Sequence, residues 1–495
     1  MSETESGPVA RIAKWLDARL GLTYPLLRPV PRYAINPLYW LGALTVVAFL
    51  IQGITGMIMM LYYVPSPAAA FQSTKYIFQS VYYGRFLETI HLYTAYAMIM
   101  LAFMHMMRGY FVSVHKKPRE MMWLVGMIMG FVTLGFGFTG YLLPWTVVSK
   151  SATDVGIGMI DALPAQISSF ISFLIVGAGG DATELLRFYD LHVVVLPAVL
   201  LVLLTAKMFM LETHGIAEPP AASSQKEDGM TLPIFPDVTV YLLGLAAMFG
   251  SAMLLISVIL PLNLPPEYTP QLAAQYTPQP DWYFLWIYQI LKIQIFEGGG
   301  LPIALSLVAI LFLALFLLPF IDRGNQRRIL NRAKFVTIGL IFVAELLVLT
   351  YWGLITPGQV IPTENALLVL AGTAVLVAAV SLGAYSFLRG RGKRGGLAIS
   401  STAKRTSFML RTGAALVVFI AVGSLSIGSS LNGSVSLILN GENQFGFLRL
   451  VLSLISLGIM FLGAAFFIYR LELRSGSVKR RIPFFEVGWT TNDAQ

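Results

Sequence analysis

Ten apolar runs, each near the roughly 20 residues a helix needs to cross a bilayer core, lie at about 38–62, 86–110, 122–143, 188–211, 237–260, 300–320, 335–355, 366–388, 412–431 and 447–469. Polar intervals between them divide the chain into blocks. Residues 1–215 hold the first four runs, and IAEPPAASSQKEDGMTLPIFP (216–236), rich in Pro and Ser, reads as a linker on the inner side. Residues 237–360 hold three more runs and 361–495 the last three, with the basic strip GRGKRGGLAISSTAKR before the final two. The pattern predicts an all-α, polytopic membrane protein of about ten transmembrane helices, opening with a four-helix bundle. No inverted repeat of the transporter kind is visible.

Composition agrees with that solvent. Hydrophobic residues make up 56% and charged residues 12% of the chain, with a mean hydropathy of +0.73; a soluble domain carries about 25% charged residues. An alternating path with the N-terminus inside puts all but six of the 34 Lys and Arg residues on the inner side, the exceptions being Lys75, Arg85, Lys150, Arg187, Lys292 and Arg449. The positive-inside rule thus supports both termini in the cytoplasm and the cell membrane as the location. The net charge of +9 reads as topology and attraction to anionic lipid, with no reason to invoke nucleic acid. The N-terminal MSETESGPVARIAKWLDARLGL is amphipathic and lacks the apolar core of a cleaved leader. No cysteine is present, which excludes disulfides, cysteine-held iron–sulfur clusters and covalent c-type haem within this chain.

The candidate chemistry begins with histidine, which is costly inside a membrane helix. His91 and His105 stand fourteen residues apart in one run, and His192 opens another that carries Lys207 fifteen residues on. Fourteen residues are almost four turns, so both histidines share a helix face about 21 Å apart along the axis. A hydrogen bond to a neighbouring helix would explain one such residue. Two at this spacing, with a third on a separate helix, fit the axial ligands of two flat cofactors at two depths, and histidine is the usual ligand of low-spin haem. Glycines repeat the interval: Gly42 and Gly56 in the first run, Gly126 and Gly140 in the third. Small residues serve helix packing, but matched pairs also let a macrocycle approach the backbone.

HKKPRE (115–120), GYLLPW (140–145), RFYDLHVVVLP (187–197) and PDWYFLWIYQIL (280–291), in this order, resemble cytochrome b of the Rieske–cytochrome b complexes. The likeness runs from about residue 30 to 360 and is nearest to the chloroplast-type cytochrome b followed by its subunit IV, joined here in one chain. It implies a di-haem domain at 1–215 and a subunit-IV-like domain with the quinol motif at 237–360; residues 361–495 lie outside it. It assigns His91 and His192 to an outer haem and His105 to an inner one, whose second ligand in the family is a histidine where this chain has Lys207. Three readings of Lys207 compete. Its amine ligates the iron, or it snorkels to a haem propionate and leaves iron five-coordinate or bound by Met208, or the inner haem is absent.

The resemblance places the outer quinol site at Asp281, where the family usually has Glu, with Tyr283 two residues on and Tyr141, Pro144 and Trp145 walling the pocket. A rotatable carboxylate suits proton acceptance; the competing reading of Asp281 is a helix N-cap. Arg108 and Arg187 match basic positions of the family, and equally suit lipid anchors. Trp40 replaces the cysteine of an additional covalent haem, and Glu88 stands where relatives carry an arginine near the outer propionates, a contact Arg85 could replace.

The implied function is that of a quinol-oxidising respiratory subunit with two haems, b-type with an a-type variant as alternative. One electron goes to a separate Rieske iron–sulfur protein and the other crosses the membrane, with proton translocation and a homodimeric assembly. A second reading places the same subunit beside terminal oxidase subunits in a quinol oxidase supercomplex. A third, a membrane transporter or channel, leaves the fourteen-residue pairs unexplained.

Overall fold

A computed structural model of the chain describes residues 29–217 and 231–394, except 298 and 328. Among these residues seven helical spans are long and apolar enough to cross a membrane: Leu41–Met60, Gly84–Phe111, Glu120–Leu142, Asp181–His214, Ile234–Ile259, Ala333–Ile355 and Thr363–Ser386. Each coincides with one of the expected runs. The run at 300–320 yields a shorter helix, Leu301–Phe316, followed by a break at Leu317 and a single turn containing Pro319, whose missing N–H and ring bulk do not continue a helix. The expected helices at 412–431 and 447–469 lie outside the described residues.

The described residues belong to two compact units. One contains 29–40 and 231–255. In it β1 (Pro29–Pro31) pairs antiparallel with β2 (Thr231–Pro233), Val30 opposite Leu232. The end of the expected linker is therefore a strand, and a short one, because proline at its end cannot donate to the ladder.

The other unit contains 41–217 and 256–394. Its helices are α1 (Leu41–Met60), α2 (Ala70–Gln79), α3 (Gly84–Phe111), α4 (Glu120–Leu142), α5 (Val147–Asp161), α6 (Ala165–Ile175), α7 (Asp181–Asp190) and α8 (Leu196–His214). After the chain leaves and re-enters this unit come α9 (Leu285–Leu291), α10 (Leu301–Phe316), α11 (Ala333–Ile355) and α12 (Thr363–Arg394). α3 packs on α1 and α4, α4 packs on α8, and α11 packs on α9 and α12. Phe209 and Leu368 are 74% and 75% exposed; lipid is the solvent in which such faces are at no cost.

Two local devices position the site. α7 and α8 form one span through a wide π-helical turn, Leu191–Val195, just ahead of Pro197, which cannot close an α-helical bond. Such a turn takes up one extra residue and recurs at functional sites. After α4 the chain reverses at Trp145, whose φ is 53°, and α5 opens on a capping box. Thr146 Oγ1 accepts from Ser149 N at 3.2 Å, and Ser149 Oγ accepts from Thr146 N at 2.9 Å. This loop is tied to the segment before PDWY: Val147 N donates to Pro266 O at 2.9 Å and Tyr268 N to Trp145 O at 3.1 Å.

Candidate functional site

His91 from α3 and His192 from the wide turn face each other with ring centres 6.3 Å apart and planes at 61°. Each ring is fixed by a threonine that the spacing argument did not identify. Thr55 Oγ1 lies 2.8 Å from His91 Nδ1, and Thr139 Oγ1 lies 3.2 Å from His192 Nδ1. Both hydroxyls already donate to the carbonyl one turn back, Thr55 to Ile51 at 2.7 Å and Thr139 to Gly135 at 2.8 Å. With its one proton engaged, each hydroxyl accepts from the imidazole, so Nδ1 carries the hydrogen and Nε2 presents a lone pair. Thr55 and Thr139 immediately precede Gly56 and Gly140; that repeated Thr-Gly pair was the signal available in the sequence.

The four glycines face the four candidate ligands one to one. A Cβ on Gly56 would come within 3.2 Å of His91 Cε1, and one on Gly140 would overlap the His192 ring. A Cβ on Gly42 would lie 3.1 Å from His105 Cε1, and one on Gly126 would lie 3.0 Å from Lys207 Nζ. The room left by each missing side chain is thus filled by a ligand side chain. Lys207 and not Ala206 reaches Gly126, because the wide turn after His192 absorbs the fifteenth residue. Met208, its neighbour, is 53% exposed. His105 differs from the other two histidines: its Nδ1 is buried without a hydrogen-bond partner.

The PDWY segment lies against α3 and α4. Asp281 accepts the Tyr96 hydroxyl at both carboxyl oxygens, 3.0 and 2.8 Å, and its own neighbour's amide, Trp282 N, at 3.1 Å. It caps no long helix, since α9 starts only at Leu285 with Phe284 before it. Tyr283 is buried, its hydroxyl beside Gly137, and Tyr141 lies close enough to act electrostatically on both Asp281 and Tyr283. Burial pushes the Asp281 carboxyl above the usual range, and the Tyr96 and Trp282 hydrogen bonds only partly oppose it.

Four residues of α3 hold this segment and its approach. Arg85 donates to Leu262 O at 2.9 Å and Asn263 Oδ1 at 3.0 Å. Thr89 Oγ1 accepts from Leu262 N at 3.2 Å, Tyr93 donates to Leu260 O at 2.8 Å, and Tyr96 holds Asp281. At 3.6 residues per turn these four fall within about 80° of one another, on the side of α3 away from His91 and His105. Arg187 turns to the end of α6, donating to the carbonyls of Phe173 and Leu174. Arg108 sits in the last turn of α3, and half-buried Glu88 lies one turn before His91.

His115, of the HKKPRE motif, belongs to a separate buried cluster. It hydrogen-bonds Asp322 at 3.0 Å, and Lys116 and Arg332 pair with the same carboxylate, Lys116 at 2.8 Å. His214 ends α8, and its carbonyl accepts from Arg119 at 2.9 Å.

Two family models match in succession, described as cytochrome b(N-terminal)/b6/petB over residues 96–270 and cytochrome b(C-terminal)/b6/petD over 271–373. The chain is 33% identical over 352 residues to the "Cytochrome bc complex cytochrome b subunit" of Chlorobaculum thiosulfatiphilum, covering 69% of this chain and 80% of that one. The chain belongs to the cytochrome b family. An archaeal "Cytochrome b", from Sulfolobus acidocaldarius, is 30% identical over 410 residues, covering 76% of this chain and 71% of the relative. A solved structure named "Hyperthermophilic respiratory Complex III" superposes with a TM-score of 0.63 at 25% identity, covering 76% of this chain and 99% of that one.

Cytochrome b carries haem, and the residues at the His91–His192 level fit one. A metal–imidazole bond of about 2 Å, extended by roughly 1 Å to the ring centre on either side, sets two such rings about 6 Å apart; here the separation is 6.3 Å. The donor set is right as well, two neutral imidazoles whose other nitrogens are hydrogen-bonded. At the second level this cytochrome b offers one imidazole and one amine, both nitrogen donors, from α3 and α8, opposite glycines of α1 and α4.

Proposed function

We propose that the chain is the cytochrome b subunit of a bc-type complex that oxidises quinol on one side of the membrane. The observation that carries this reading is the facing pair His91 and His192, ring centres 6.3 Å apart with each Nδ1 held by a threonine, together with a second glycine-matched pair, His105 and Lys207, on the same two spans. Two haems held at these levels supply a path for electrons across the bilayer. Thr55 and Thr139 set the tautomer and angle of the first pair. Lys207 offers its amine to the inner level: its Nζ lies over Gly126, which supports ligation over snorkelling to the surface.

Quinol binds beside Asp281, with Tyr283 and Tyr141 walling the site, and Asp281 accepts a proton as electrons leave. A Rieske iron–sulfur partner would take one electron, and a haem held by His91 and His192 would supply the acceptor for the other. Arg108, in the last turn of α3 and three residues after His105, would supply a cation beside the inner cofactor. Residues 1–215 form the haem-carrying part, 216–236 the inner linker and 237–360 the part with the quinol motif, in a homodimer with both termini in the cytoplasm.

Redox-titrated optical and EPR spectra of the purified complex test the ligand set. Two low-spin components are expected, and Lys207→Ala should convert one and leave the other unchanged. A single component indifferent to Lys207→Ala overturns amine ligation. For the quinol site, Asp281→Asn should lower turnover by about 10²-fold or more with haem content intact; unchanged turnover removes Asp281 from the reaction.

A further inference from the structure

Asp281 has a partner that no spacing in the chain connects to it. Tyr96, 185 residues earlier, donates its hydroxyl to both carboxyl oxygens, at 3.0 and 2.8 Å. Its ring stands edge-on to Trp282, centres 6.2 Å apart, and tilted against Tyr283 at 6.3 Å. One side chain therefore touches three successive residues of the quinol motif. Tyr96 is also the last of the four α3 residues that hold the segment from 260 onward, after Arg85, Thr89 and Tyr93. Because α3 carries His91 on its other side, Tyr96 ties the carboxylate to the helix that holds a candidate iron ligand.

We propose that Tyr96 is the positioning residue for Asp281, its phenol holding the ionised carboxylate in place until that carboxylate takes a proton from quinol. The inference rests on the reading of Asp281 as proton acceptor. One proton moves, from a quinol hydroxyl to an Asp281 oxygen. Tyr96 keeps its own, and the electrons leave by the two routes given above.

The physical argument is a competition between burial and hydrogen bonding. Burial favours the neutral carboxyl, whereas a donor to the anion favours the charged form. The groups facing Asp281 are phenols: Tyr96 from α3, Tyr141 from the end of α4 and Tyr283 from its own segment. Neutral phenols supply no opposite charge, so the work of keeping the acceptor ionised falls to two hydrogen bonds, from Tyr96 and from Trp282 N. Losing a hydrogen bond to a charged group moves a titration by about one pH unit or more. Tyr96 thereby sets the pH below which the site stops accepting protons.

The test measures quinol oxidation by the purified complex across pH, with a short-chain quinol and an artificial acceptor. Tyr96→Phe should displace the acid limb upward by about one pH unit and leave the rate on the alkaline plateau within about twofold. Fluorotyrosine placed at position 96, close to isosteric and a stronger donor, should move the limb the opposite way. Infrared difference spectra should show the Asp281 carboxyl band appearing at higher pH in Tyr96→Phe than in the unmodified complex. A uniform loss of rate at every pH, with the carboxyl titrating as before, reduces Tyr96 to packing and overturns the proposal. Failure of the underlying reading is a separate result: Asp281→Asn then retains turnover, whatever Tyr96→Phe does to the carboxyl band.

Discussion

At the His91–His192 level each imidazole gives its Nδ1–H to a threonine whose own proton is held by a helix carbonyl. At the His105–Lys207 level the histidine Nδ1 is buried without a partner, and the facing group is a flexible amine on a four-carbon stem. The two levels share α1, α3, α4 and the span made by α7 and α8, and the same glycine intervals, so the helices alone do not account for the difference. One level is oriented by a hydrogen-bonded outer layer around its ligands. The other lacks that layer at its histidine, and charge acts nearby instead: the loop from α3 to α4 is joined to the connection between α10 and α11 through His115, Lys116, Asp322 and Arg332. Second-layer hydrogen bonds fix tautomer and ring angle at a metal site, so the His105–Lys207 level is the one where ligand geometry is free to depart from the family pattern.

The largest effect is expected from Gly140→Ala. A methyl there overlaps the His192 ring, and the ring cannot retreat without leaving the threonine and the metal position. We expect loss of the His91–His192 spectral component with retention of the other, read in optical spectra of membranes. Gly126→Ala meets only the far end of Lys207, at 3.0 Å, and should be tolerated better. Equal damage from both would erase the contrast between a stiff and a yielding level.

Asp322→Asn tests the charge cluster. Asp322, Lys116 and Arg332 are all under 8% exposed, and removing one partner of such a group costs about 3–5 kcal/mol. The pH dependence has a definite sign. Burial lowers His115 to about 4, Asp322 only partly opposing this, so it is neutral when folded at pH 7 and its contact with Asp322 is a hydrogen bond, not an ion pair. An unfolded histidine titrates near 6.5; stability from this residue is therefore present above that pH and falls between about 6.5 and 4. Melting curves at several pH values should show that slope, and His115→Gln should flatten it. An unchanged slope in His115→Gln assigns it to other groups.

The smallest expected effect belongs to Thr139→Val, which removes the orienting hydroxyl but keeps the shape. Loss of such a partner weakens metal retention by about 10–100-fold, measurable as haem lost on dilution in detergent. The His105–Lys207 component, with no threonine to lose, should be indifferent to it.

Much of this was legible from residues alone because a helix has a fixed period. His91 with His105, Gly42 with Gly56 and Gly126 with Gly140 declare a shared face by counting, and the apolar runs placed seven spans. Counting is local, and it missed whatever depends on another helix. Thr55 and Thr139 look like ordinary helix threonines until the imidazoles stand beside them. Lys207 stands fifteen residues after His192, one more than the histidine and glycine intervals, and only the wide turn at Leu191–Val195 shows how it still comes opposite Gly126. A helix cap is the competing reading of Asp281 in the sequence, and its partner Tyr96 lies 185 residues away.

By itself, then, the sequence determined the solvent, the helices, the family and the residue types at the two levels, since hydrophobic length and helical period are properties of short stretches of chain. Tertiary structure decided the rest: which ring nitrogen a threonine holds, which residue faces Gly126, and which phenol holds the carboxylate. Those depend on distances of about 3 Å between side chains on different helices, where a hydrogen bond exists or does not, and no count along the chain measures them.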